Sequence, residues 1–218
     1  MPANSSKGHL IIISFTNILD SILGFAKNNP TITGAGLGAI LTALINSQTE
    51  QPVNRGVDMS ALGTLKPAFK KEGSVTAGNS SGINDGASAL LLVNKEALAQ
   101  YELKAMAKIK SMAIAGVDPS VMGIGPVPAV RKALQRAGLS IADIDLFELN
   151  EAFASQSLAC IQELGIDTHK VNVNGGAIAL GHPLGCTGAK LSVQLFDEMR
   201  KQNMQGKYGA VTMCVGTG

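Results

Sequence analysis

The 218-residue sequence contains no tryptophan, two tyrosines and six phenylalanines. With so few aromatics, any core must be built from aliphatic side chains. Cysteine is scarce as well. Cys160, Cys186 and Cys214 are odd in number and form no Cys-x-x-Cys pair. A disulfide framework is therefore excluded, and a reducing, cytoplasmic setting is expected. The three histidines, His9, His169 and His182, make no His-x-x-x-His pair, so no metal site is expected. Net charge is only +2, and no Lys/Arg cluster is interleaved with aromatics. That argues against a nucleic-acid surface. The apolar run at residues 10–19 is too short to span a bilayer and is followed at once by Asp20, so no membrane association is expected. As a signal peptide it has only Lys7 ahead of it and no small-x-small cleavage site.

What is present is a globular composition, 45% apolar and 16% charged, with 25 glycines. Residues 1–56 read as a leader and linker of unclear structure. Within them, the glycines at 34, 36 and 38 resemble a dinucleotide loop, but no strand pattern precedes them and no acidic partner follows about twenty residues on. Residues 48–56 are polar and carry Pro52 and Gly56, the signature of a linker. From residue 57 the pattern changes. A short helix is expected up to Pro67, a dense turn segment over 74–86, and strands over 87–93, 107–116, 144–149 and 208–215. Helices are expected over 95–101, 126–137, 151–164 and 189–199. Pro126 and Pro128 in a first turn and Gly138 just past an end give one of these helices both of its boundaries. Alternating strands and helices imply a layered α/β domain over 57–218.

Chemistry-bearing residues fall just beyond the expected strands, where α/β folds place their sites. Residues 172–190 are the densest such stretch, with glycines at 175, 176, 181, 185 and 188 around Gly181-His182-Pro183. Glycines let backbone approach a ligand closely. A histidine at the mouth of the following helix is expected to stay neutral beside the positive end of the helix dipole, and so to be able to act as a base. A tight turn with a hydrogen-bonded structural histidine fits the same residues. Asn150, in Asn150-Glu-Ala-Phe153, either caps a helix or holds a water or an oxyanion. Cys214, before Val-Gly-Thr-Gly218, is either an inert small hydrophobe or a reactive thiol beside turn N–H groups. Singly each signal is weak. Together, base, thiol and oxyanion donor suggest acyl chemistry.

Five segments in order carry a family resemblance. They are residues 73–86, residues 116–126, Asn150-Glu-Ala-Phe153, residues 172–190 with Gly-His-Pro, and Cys214-Val-Gly216. The sequence resembles the thiolases, the acetyl-CoA acetyltransferases and 3-ketoacyl-CoA thiolases, from about residue 57 onward. The resemblance implies a thiolase-like layered α-β-α domain, the C-terminal half of that fold, behind an irregular N-terminal leader. It implies CoA-dependent Claisen condensation of acetyl-CoA or thiolytic cleavage of a 3-ketoacyl-CoA. It also implies no permanently bound cofactor, with coenzyme A thioesters as substrates. His182 would be the base that activates a nucleophilic cysteine. Cys214 would be the acid/base at the α-carbon. Asn150 would hold a water in one oxyanion hole, and the N–H of Gly216 would donate in the other. Donors of this kind contribute about 3–4 kcal/mol each. Ser81, Ala152 and Phe153 match positions that line the coenzyme A tail, and Met122 and Leu184 match pocket walls.

The family's first half carries its nucleophile in a segment like Cys-Gly-Ser-Gly, and no such segment occurs here. Against the family pattern the chain looks cut before the last strand. The reading that follows is a chain supplying the His/Cys acid-base half of the site, inactive by itself. It would form homo-oligomers or pair with a thiolase N-terminal half. An inactive homologue that binds CoA or pairs with thiolase chains is the alternative. A decarboxylating condensing enzyme is disfavoured by the Cys214-x-Gly ending. Thr217 and Gly185-Cys-Thr-Gly188 resemble degradative long-chain members, whereas Asn172-Val-Asn-Gly-Gly-Ala-Ile178 resembles the acetoacetyl type. Chain-length preference stays open.

Overall fold

The computed structural model describes residues 58–216 in full and residues 9–12 by their backbone. The glycine cluster at 34–38, the linker at 48–56 and Thr217 lie outside the described residues. Four parallel strands form one sheet: β1 (His9–Ile12), β2 (Lys108–Ile109), β3 (Ile144–Leu149) and β4 (Tyr208–Thr212), in the order β2-β1-β4-β3. The helices are α1 (Met59–Gly63), α2 (Lys95–Gln100), α3 (Pro126–Ala137), α4 (Ala154–Leu164), α5 (Ala177–Leu180) and α6 (Thr187–Lys201).

β3 stands at the end of this order, paired with β4, and its residues are buried but for Asp145. A strand turns alternate side chains to opposite faces. Phe147 and Leu149 accordingly join Val130, Ala133, Leu134 and Cys160 in a cluster beneath α3 and α4. Leu146 joins Leu191, Leu195, Met199 and Val211 beneath α6. Helices on both faces of a parallel sheet make a layered α/β fold, as expected. Ile144 breaks the alternation by siding with Phe147. The register explains this: Ile144 pairs with Tyr208 and Leu146 with the very next residue, Gly209, so Asp145 is an extra residue in β3. Its carboxylate accepts from the Tyr208 N–H at 3.1 Å, replacing the missing ladder contact.

The helix ends follow from local chemistry. α3 starts with proline in its first turn and stops at Gly138, which is left-handed at φ 68°. α4 stops at Gly165 in the same way, at φ 65°. It starts at Ala154, three residues later than expected, because the strand-helix junction bends at Ala152 and Phe153 is extended. The strand expected over 107–116 shrinks to Lys108–Ile109. Of the one expected over 87–93, a single bridge residue, Ala87, is all that takes strand pairing. An apolar run becomes a strand only where a neighbour takes its backbone hydrogen bonds.

α6 approaches β4 closely at Gly209. A Cβ there would lie 2.8 Å from both Leu195 Cδ2 and Met199 Sδ. Overpacking a core of this density costs about 1–3 kcal/mol. The Gly209→Val variant should therefore lower the unfolding free energy by that amount, read as a lower urea midpoint at unchanged slope. An unchanged midpoint would mean that α6 does not pack on β4 as described.

Candidate active site

The alternation in β3 that points Leu146 toward α6 also points Glu148 there and carries Asn150, the next residue of that phase, to the strand end. Asn150 is anchored by its own N–H, which donates to Thr212 O at 3.0 Å. Its side chain is buried, with Nδ2 3.3 Å from His182 Nε2. It does not cap α4, whose N-cap is Phe153.

His182 is held from several sides. Its N–H reaches Gly82 O at 3.1 Å and Asn84 Oδ1 at 3.2 Å, from a loop about a hundred residues earlier. Gly181 before it has φ 90°, and a Cβ there would collide with the Asn84 amide, so only glycine fits. On the ring, Nδ1 lies 2.6 Å from Thr187 Oγ1. That hydroxyl donates its single hydrogen to Pro183 O at 2.9 Å. It can then only accept from the ring, so the proton sits on Nδ1 and Nε2 carries the free lone pair, which accepts from Asn150 Nδ2. Burial, and secondarily the charge of Lys190, push the His182 ring below its ordinary proton affinity. The shift runs in the direction expected of a neutral ring, with burial as its first cause.

Two residues beyond β4 comes Cys214, half-buried, with burial pushing its thiol up. No hydrogen bond joins it to His182 or Asn150 among the described residues. It shares their end of the sheet through the Asn150–Thr212 contact. Burial also pushes up Cys186, and Cys160 to about 11. None of the three thiols is activated as a nucleophile. Gly216 lies against Met122, whose Cε would be 3.6 Å from a Cβ added at Gly216. A second seam joins the 74–86 segment to the 150–153 segment. Ser81 N donates to Ala152 O at 3.0 Å, Ser80 bridges Phe153, and the Phe153 ring meets Phe69 edge-on at 5.7 Å. Leu184 is exposed beside this loop.

Sequence reasoning did not single out the supporting residues. Asn172, left-handed at φ 48°, donates from Nδ2 to Leu149 O at 2.8 Å and accepts from Leu149 N at 2.9 Å. Glu151 reaches Ile178 N at 3.2 Å and Asn172 Nδ2 at 3.3 Å. Its carboxylate fills the space over Gly176, so a Cβ there would collide with it. Thr187 lay within the glycine-rich motif, one helical turn past the histidine, and that position was its only signal.

Of the known families, the model of the thiolase C-terminal domain matches residues 103–218, over half of the chain. The chain belongs to the thiolase family. The model of the thiolase N-terminal domain matches residues 42–96, so the likeness reaches back beyond residue 57 into the stretch set apart as leader. A 3-ketoacyl-CoA thiolase of Bacillus subtilis is 59% identical over 157 residues, 72% of this chain and 40% of the relative. One from Serratia proteamaculans is 50% identical over 204 residues, 91% of this chain and 51% of the relative. The crystal structure of human mitochondrial 3-ketoacyl-CoA thiolase superposes with a TM-score of 0.71 at 48% identity, over 74% of this chain and 41% of that one. The same human protein has also been solved in complex with CoA. The Bacillus anthracis acetyl-CoA acetyltransferase gives a TM-score of 0.69 at 50% identity, over 72% and 39%. This thiolase chain thus spans about half or less of the length of the curated relatives it matches. No described helix is long and apolar enough to cross a membrane.

Two measurements check the site. Nitrogen-15 spectra of the histidine rings at pH 7.5 should show His182 protonated on Nδ1 only. Thr187→Val should shift the ring toward a mixed tautomer and destabilise the fold by about 1–3 kcal/mol, the cost of an unpaired buried donor. A wild-type ring protonated on Nε2 refutes the hydrogen-bond chain. The second concerns Glu148, buried with Oε2 unpaired and pushed up by burial to about 8 from 4.5. Between these values the folded state holds a proton that the unfolded state has lost, so stability falls as pH rises. His182 acts oppositely, but only below its unfolded value of about 6.5. From pH 6.5 to 8, wild type should therefore lose stability and Glu148→Gln should lose much less. Equal loss in both would contradict the burial of Glu148.

Proposed function

We propose that this chain supplies the acid-base half of a thiolase-type site acting on coenzyme A thioesters, by Claisen condensation of acetyl-CoA or by thiolysis of a 3-ketoacyl-CoA. One observation carries the reading: the Asn150–His182–Thr187 chain leaves Nε2 unprotonated, its lone pair facing only the Asn150 amide, at the sheet end that Cys214 follows. In this reading Nε2 takes the proton of a nucleophilic thiol, whose thiolate then attacks the 3-keto carbonyl in thiolysis or the acetyl-CoA thioester carbonyl, with CoA leaving, in condensation. Asn150 Nδ2, no longer facing a lone pair, is free to donate toward a water or the oxyanion, and the Gly216 N–H is the donor on the other side. Cys214, with its thiol pushed up, rests protonated and is suited to give a proton to a carbanion leaving as acetyl-CoA. In the reverse direction its thiolate, once formed, is a correspondingly strong base for the α-proton.

The Ser81–Ala152–Phe153 seam is the surface we assign to the CoA tail, with Met122 and Leu184 as pocket walls. The 3-ketoacyl-CoA thiolases among its relatives support the substrate class, as does the CoA complex of the human protein. We assign the nucleophile to a second polypeptide segment of the thiolase N-terminal type, because all three thiols here are pushed up and none lies in a Cys-Gly-Ser-Gly segment. Pairing with such a half, or with a second copy of this chain, is the assembly this reading requires. The free thiols suit a reducing compartment such as the cytoplasm.

The test is cleavage of acetoacetyl-CoA with added CoA. The purified chain alone should show no turnover. Mixed with the separately expressed N-terminal half of a 3-ketoacyl-CoA thiolase, it should show turnover that His182→Gln reduces at least a thousandfold. Turnover by the chain alone, comparable to an intact thiolase, overturns the half-site reading. Absence of both turnover in the mixture and CoA binding in a titration overturns the acyl-transfer reading.

A further inference from the structure

Beneath the His182 loop lie two titratable groups that the acyl-transfer reading does not use, the half-buried Lys190 and the buried Glu148. Lys190 is in the first turn of α6, one turn past Cys186, whose carbonyl accepts its backbone N–H at 2.9 Å. Its side chain runs back toward the loop, and Nζ donates to Gly181 O at 3.2 Å. That carbonyl belongs to the peptide bond joining Gly181 to His182. It follows the left-handed Gly181 that Asn84 crowds from the other side. The turn presenting the imidazole is thus pinned from both sides, by the Asn84 amide on the His182 N–H and by the Lys190 ammonium on the Gly181 carbonyl.

An ammonium in this place brings a charge as well as a hydrogen bond. It is partly buried, and no carboxylate lies within ion-pair distance of it among the described residues. The charged and titratable groups that face it are Glu148 from β3, Glu151 from the β3–α4 junction and Cys186 from the start of α6. Glu148 also faces Glu198 of α6. Around the imidazole itself the hydrogen-bond partners, Asn150 and Thr187, carry no charge. Among the described residues, Lys190 is the formal charge that bears on the His182 ring. Like charges in a partly buried site repel far more than they do in water.

We propose that Lys190 is a positioning residue for His182: its ammonium holds the Gly181 carbonyl, fixing the turn that aims the imidazole, and its charge opposes a second positive charge on that ring. In a thiolase-type cycle this would keep the ring ready to accept a proton, and make it return that proton quickly. The inference rests on reading His182 as the base. The titration below reads the ring directly, however, so it succeeds or fails whatever the chain turns over.

Histidine-labelled chain is titrated by NMR, with the His182 signal assigned by its loss in His182→Gln. Wild type should show His182 protonating below the ordinary imidazole range. Lys190→Met, which keeps the aliphatic stem and drops the charge, should move the His182 midpoint upward by at least half a pH unit. Lys190→Arg should keep the low midpoint. Glu148→Gln should leave it nearly unmoved, because Glu148 already holds its proton where the ring titrates. If Lys190→Met does not fold, Lys190→Gln carries the same test. A midpoint unchanged in the neutral variant, or raised equally by Lys190→Arg, overturns the proposal. A lysine with only a structural role would lower stability without moving the midpoint.

Discussion

The threonine hydroxyl at position 187 has one hydrogen, and it gives that hydrogen to a carbonyl. The rest of the site follows from this constraint. Because the hydroxyl can then only accept, the ring of His182 must donate from Nδ1, and its other nitrogen is left with a lone pair at the sheet end. Thr187 can play this part because it opens α6 while Pro183 closes the turn before it, four residues away. Helix, turn and ring are thus held by one oxygen atom. The carboxamide of Asn150 meets the lone pair only because β3 is wholly buried at that end and locked to β4 through Thr212. A ring whose two nitrogens have fixed and different partners is a base in waiting, whereas a ring with one partner is free to flip between tautomers.

Much of the fold was legible because its signals are local. The proline and glycine at the ends of α3 dictate its boundaries by their own dihedral preferences, and the structure reproduces them to the residue. Burial of β3 could be read from Ile144, Leu146, Phe147 and Leu149, but the bulge at Asp145 could not. That bulge is decided by a partner strand more than sixty residues away. The 87–93 run illustrates the same limit from the other side. Its composition suits a strand, yet strand formation is a property of pairs, and composition says nothing about whether a neighbour is present. The short β2 is a milder case of the same dependence.

The site divides along similar lines. His182, Asn150 and Cys214 were visible as reactive residue types at strand ends, and the structure joins the first two directly while leaving Cys214 near the same sheet end without a hydrogen bond to either. The residues that hold them were not visible. Asn84 touches the His182 N–H across 98 positions of sequence, and nothing in residue spacing foretells such a contact. Asn172 mimics a strand partner with its side chain, using both its oxygen and its nitrogen on Leu149, which is a role that any of several asparagines could have filled. Glu151 was noticed as part of a motif, but its work is geometric. It occupies the volume that a side chain at 176 would need, and so makes glycine obligatory there.

The charges under the site show what it costs to keep an imidazole neutral inside a protein. Glu148 points to the same face as Asn150 because both fall on one phase of the strand, so a buried acid two residues from the site is built into the β3 alternation. With Oε2 unpaired, its ionised form would be a bare charge in a closed space, and the proton it retains is the cheaper solution. Had Glu148 ionised and paired with Lys190, the ammonium would have been neutralised locally, and its repulsion of an imidazolium would have weakened. Keeping the acid protonated leaves Lys190 with its charge uncompensated at close range, anchored on a carbonyl rather than on a carboxylate. Burial of the kind that penalises Glu148 and lifts the three thiols also lowers the proton affinity of His182. Between the end of β3 and the start of α6 it therefore favours the neutral forms of Glu148, Cys186 and His182 together.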